Sequence, residues 1–99
     1  MSPIYKCSIL RRVTEAWYSL SDNEQKQLLE QVDQVLKDAG GERVVLYDLR
    51  WSADGAAFFG VEKFPNMEAV QEHAQLLDKI NWFRYVEAES FLGTEWTEV

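Results

Sequence analysis

The chain of 99 residues contains a single histidine, His73, and it stands where an apolar side chain is expected. In FPNMEAVQEHAQLLDKI (64–80) Met67, Ala69, Val70, Ala74, Leu76, Leu77 and Ile80 share one half of a helical wheel. Glu68, Gln71, Glu72, Gln75, Asp78 and Lys79 fill the other half. His73 falls near the middle of the apolar half, so its ring is expected to point at whatever the helix packs on. Imidazole titrates near neutrality, and an inward imidazole beside a hydroxyl can act as a general base. Tyr5 and Tyr47 are the hydroxyls proposed to join it, and Trp51, Trp17, Phe59 and Leu77 would wall the cavity. Such a set suits enolisation of a β-dicarbonyl or phenolic substrate, the phenol stabilising the oxyanion. The same residues have plainer uses. A core histidine finds a tyrosine or a carbonyl as partner, aromatics pack, and Trp17 with Tyr18 ahead of a helix forms a hydrophobic staple.

The rest of the composition narrows the chemistry. A net charge of −7 argues against a surface that neutralises phosphates, and Arg11–Arg12 is too short a basic run to change that. An anionic membrane leaflet would repel the chain as well. Cys7 is the one cysteine, which leaves no internal disulfide and no multi-cysteine metal site. Neither metal nor cofactor is expected; ligation of a catalytic metal or of haem by His73 is the option left open. Glycine-rich phosphate loops, Gly-x-Ser-x-Gly elbows and paired-histidine motifs are absent from the sequence. MSPIYKCSILRR has neither the apolar run nor the cleavage site of a secretion signal, so a cytoplasmic location is expected.

The elements that must position these residues fit one domain spanning 1–99. Ile4 to Arg12 alternates as a strand, with Tyr5, Cys7 and Ile9 opposite Ile4, Ser8 and Leu10. Ser21 or Asp22 caps a helix that carries Leu28, Leu29, Val32, Val35, Leu36 and Ala39 on one face and ends at Gly40–Gly41. VTEAWYSL (13–20) is a turn or helical lead-in. Strands are expected over Arg43–Trp51 and Ala56–Phe64, joined by a turn at SADG (52–55), then a helix capped by Asn66 and a last strand from Tyr85 to Leu92. The order βαββαβ is the ferredoxin-like α+β plan, an antiparallel four-stranded sheet with two helices on one face.

The face without helices does not read as polar. Alternation places Leu10, Leu46, Phe58, Phe64 and Phe91 there, beside Lys6, Asp48, Arg50, Glu62, Glu87 and Glu89. Large apolar residues mixed with charges suit a self-complementary interface. A homodimer through the open sheet face is therefore expected, giving a dimeric α+β barrel, with Asp48 and Glu62 at its seam. Trp82, Phe83 and Tyr85 are expected to close the barrel end as core.

Two segments carry a family resemblance. TEAWYSLSDNEQKQLLEQV (14–32) resembles the Trp-containing lead-in and acidic first helix of darcynin-type proteins. INWFRYVEAESFLGTEW (80–96) is similar to that family's last segment, an aromatic pair before a tyrosine and an acidic strand ending in Gly-x-Glu. LYDLRW (46–51) fits the intervening strand, while Glu15 replaces a frequent proline. The resemblance implies a dimeric α+β barrel and carries over no catalytic residue. The wider superfamily holds cofactor-independent monooxygenases, cyclases, haem-degrading enzymes and proteins without known chemistry, so the fold alone does not select among them. Two functions follow. One is a small cofactor-independent enzyme, monooxygenase- or cyclase-like, acting on an aromatic or polyketide-like metabolite with His73 as base. The other is a non-enzymatic ligand-binding or assembly module, in which no cavity opens beside His73.

Overall fold

The structure, a computed structural model, describes residues 2–52 and 54–97. Among the described residues, four strands and four helices follow one another as β1 (Ile4–Val13), α1 (Glu15–Tyr18), α2 (Asp22–Asp38), β2 (Glu42–Asp48), β3 (Phe58–Phe64), α3 (Met67–Lys79), α4 (Trp82–Tyr85) and β4 (Val86–Gly93). The strands form one antiparallel sheet in the order β2-β3-β1-β4. This is the ferredoxin-like arrangement, with the two long helices on one side of the sheet. Of the expected turn at 52–55, Ala53 lies outside the described residues.

Local chemistry accounts for the helix limits. Ser21 Oγ accepts from the Glu24 amide at 3.2 Å, and Glu24 Oε1 accepts from the Ser21 amide at 2.9 Å, a reciprocal capping box at the start of α2. Gly40 ends that helix at φ 83, a left-handed position that glycine takes without steric penalty. Asn66 Oδ1 accepts from the Ala69 amide at 2.9 Å and starts α3. The one-turn helix α4 is absent from the sequence expectation. Asn81 opens it at φ 59, and the Thr14 hydroxyl donates to the Arg84 carbonyl at 2.7 Å, tying it to the end of β1. Trp82 and Tyr85 are half-buried there, but Phe83 is 52% exposed, so this trio is not a closed core in the single chain.

The core lies between the helices and one side of the sheet. Leu36 from α2, Ala69 and Val70 from α3 and the fully buried Phe64 from β3 form its centre, with Ile4 packed against them. This overturns the sequence-based assignment of faces. Ile4 pairs with Phe64, Lys6 with Glu62, Ser8 with Gly60 and Leu10 with Phe58, so this whole set faces the helices. Register partners in an antiparallel pair share a face. On β2, Leu46 pairs with Gly60 and Asp48 with Phe58, so these too lie on the helix side. Of the apolar residues expected on the open side, only Phe91 is there.

The open side is instead built from the opposite set. Tyr5, Cys7 and Ile9 come from β1, Phe59 and Val61 from β3, Val45 and Tyr47 from β2, and Phe91 from β4. Two bulges set this pattern. An extra residue, Arg11, enters β1 opposite β4, and Val44 enters β2 opposite β3, each shifting the alternation by one position.

Candidate functional site

His73 sits where its spacing places it, inward from the middle of α3, and only 1% of it reaches solvent. Ala69 and Leu77, one turn away on either side, are buried with it. The Phe64 ring lies 5.2 Å away, tilted by 42°. Its polar partner is Lys6, whose Nζ lies 3.3 Å from His73 Nδ1 in a buried contact. An ammonium has only donors, so Nδ1 must be the bare, accepting nitrogen and Nε2 carries the hydrogen. That Nε2 is buried and has no hydrogen-bond partner among the described residues.

A line of alternating charge continues across the helix-covered face of the sheet. Glu62 is the register partner of both Lys6 on β1 and Arg43 on β2, and Arg43 pairs with Asp33 of α2 at 3.0 Å. Burial pushes the Lys6 ammonium down, with the negative charge of Glu62 opposing. Burial pushes the Glu62 carboxyl up, against the pull of Lys6 and Arg43. The imidazole is lowered to about 4, by burial first and then by the nearby charges of Lys6 and Arg43. It is therefore neutral at pH 7. With its lone pair taken by Lys6 and its basicity lowered, it is a poor proton acceptor in the resting chain.

The other proposed site residues are elsewhere. Tyr5 and Tyr47 share a face, as alternation requires, but it is the open face, with the sheet between them and His73. Phe59 is on that face too, stacked on Tyr47 with 6.5 Å between ring centroids. Trp51 lies beyond the end of β2 and is 84% exposed, so it walls nothing. Trp17 is half-buried in α1, where its carbonyl accepts from Gln25 Nε2 at 3.1 Å. Of the proposed set, only Leu77 lines the same interior as His73. The sequence reading puts Lys6 and Glu62, the groups that do surround the histidine, on the opposite side. Their sequence signal was parity with Ile4 and Phe64, which are too apolar to face water together.

Two surface grooves lie at the C-terminal end of α2. One, of about 280 Å³, is lined by Asp33, Leu36, Lys37, Gly41, Glu42 and Arg43. The other, of about 250 Å³, includes Pro3, Gly40, Lys63, Phe64 and Pro65. Neither reaches His73. Among the described residues no cluster of His, Cys, Asp and Glu could hold a metal ion, and no helix is long and apolar enough to cross a membrane.

No protein-family model matches the chain, and no curated protein matches it in sequence. Solved structures match its fold. A protein of unknown function from Rhodopseudomonas palustris superposes with a TM-score of 0.61 at 12% identity, over 98% of this chain and 85% of that one. The 30S ribosomal protein S6 of Thermotoga maritima does so with a TM-score of 0.50 at 11% identity, over 94% of this chain and 89% of that one. These likenesses define the class as ferredoxin-like α+β. At such low identity they carry the fold and nothing further.

Proposed function

We propose that this protein is a self-associating module of the darcynin-like kind, whose working surface is the open sheet face and whose partner is a second copy of the chain. The observation that carries this reading is the charge on that face. Arg11, Arg12 and Lys63 stand there against Glu42, Glu87 and Glu89, three cations to three anions, while the chain as a whole carries −7. The pairs close within the chain: Arg11 Nε to Glu89 Oε1 at 3.1 Å, Arg12 to Glu87, and Lys63 Nζ to Glu42 Oε1 at 3.9 Å. Two strongly acidic copies can meet without repulsion at a neutral patch, and here the charged pairs surround an apolar centre of Cys7, Ile9, Phe59 and Val61. An apolar middle with a polar rim is the anatomy of a protein interface.

The dimensions agree. The chain exposes 7040 Å², against about 5,800 Å² for a compact monomer of its mass. Its radius of gyration is 14.2 Å, against about 13 Å for a compact domain of 100 residues. The excess, about 1,200 Å², is what a slab with one uncovered face produces, and it exceeds the ~800 Å² that each partner buries in a stable complex. Two sheets closed on each other form a dimeric α+β barrel.

A cofactor-independent enzyme using His73 would need a cavity at the imidazole and the two tyrosines beside it. The grooves at the end of α2 and the open-face tyrosines favour the assembly reading. Sedimentation equilibrium at micromolar concentration tests it. A dimer that dissociates in Val61→Glu, with unchanged far-UV circular dichroism, supports the assignment; a wild-type chain that is monomeric at tens of micromolar overturns it.

A further inference from the structure

We propose that Lys6, Glu62 and His73 form a proton-operated latch, which holds α3 on the sheet while the imidazole is neutral and releases it when the ring takes up a proton. The contact geometry carries this. The Lys6 ammonium can only donate, so its 3.3 Å contact exists only while Nδ1 is bare. A proton on Nδ1 removes the acceptor and sets two cations side by side at a position from which water is excluded, His73 being 1% and Lys6 9% exposed.

The surrounding charges do not relieve that. From β1 the group facing the ring is Lys6 itself; from β2 it is Arg43, a second cation, already paired to Asp33 of α2. From β3 it is Glu62, which burial inclines toward its own neutral acid form as the pH falls. Arg84 of α4 is exposed, as are Glu68, Glu72, Asp78 and Lys79 on α3 itself. Protonation therefore adds an uncompensated charge beneath the middle of α3. The response is local. That helix rests on Ala69, Val70 and Leu77, whereas β1 is held on both edges by β3 and β4 through ladders that do not involve the imidazole. The latch is independent of what covers the open face.

Because His73 is the only histidine, its ring signals are assigned without ambiguity in an NMR titration of the intact protein. Residue-resolved hydrogen exchange on the same samples, corrected for the intrinsic pH dependence of exchange, reads the helix. The ring is expected to titrate well below 6.5, near 4. Protection of the α3 amides should fall roughly tenfold per pH unit between those values and stay below that of the β1 and β3 amides, which open only with the whole chain. Lys6→Met should raise the titration point and shrink the loss of α3 protection, and His73→Leu should abolish the loss. A ring titrating at 6.5 or above, α3 protection unchanged between pH 6.5 and 4, or α3 and sheet amides sharing one opening free energy throughout would each overturn the proposal, and all three are read on the wild-type chain.

Discussion

Tyr47 and Phe59 are register partners across the β2–β3 ladder and stack within 8° of parallel on the side of the sheet that no helix covers. Tyr47 is 55% exposed in the single chain, so little of the fold depends on it. Tyr47→Ala should lower monomer stability by under about 1 kcal/mol, the range of one cross-strand pair. Self-association should weaken roughly tenfold or more, since burying such a side chain contributes about 1.5–3 kcal/mol. Chemical denaturation and sedimentation equilibrium, run on the same variant, separate the two effects.

Acid should destabilise the fold through His73. The folded-state value of about 4 lies below the ordinary 6.5, so between them the unfolded chain binds a proton that the folded chain refuses. Stability is then full above pH 6.5, falls as pH drops to about 4, and levels off below that. At 1.36 kcal/mol per pH unit the loss over that span amounts to about 3 kcal/mol. Glu62, raised by burial, works with the opposite sign: it favours the folded state below its ordinary 4.5 and loses that contribution as pH rises through its folded value. Urea midpoints of wild type and His73→Leu between pH 7 and 4 should converge as the pH falls if wild type is the more stable at neutrality, because only wild type carries the histidine slope.

Gly41 is required by close approach. A Cβ there would lie 2.6 Å from Leu36 Cδ1 and 2.7 Å from Phe64 Cε1, both buried core atoms with little room to retreat. Gly41→Ala should destabilise by about 1–3 kcal/mol, the usual range for overpacking. Gly40→Ala would meet nothing within 4 Å, and its penalty should come from the backbone at φ 83. Thermal unfolding of both variants checks the first estimate, with a loss below about 0.5 kcal/mol in Gly41→Ala contradicting it.

Ser21→Ala removes one half of the capping box and leaves the Glu24 amide to water. A loss of about 1 kcal/mol is expected. Glu24→Gln should retain much of the box, because an amide oxygen accepts from the Ser21 backbone as a carboxylate does. Equal losses in the two variants would show that the charge of Glu24, and not its acceptor geometry, supports the helix start.

Much of this fold was determined by local chemistry. Ser21, Gly40 and Asn66 mark helix ends through hydrogen bonds and dihedral freedom that need no distant partner, and the 3.6-residue period around His73 was enough to turn its ring inward. The helix α4 has no local sequence signal, because a left-handed Asn81 and a contact from Thr14, 70 positions away, define it. What only the tertiary structure decided is which side of the sheet the helices cover. Period-two alternation says which residues of a strand share a side and is silent on which side is buried, and the bulges at Arg11 and Val44 break even that relation from strand to strand. The choice was made by Ile4 and Phe64 packing under α2 and α3. That brought Lys6 and Glu62 inward to the histidine and left Tyr5, Tyr47 and Phe59 on the uncovered side.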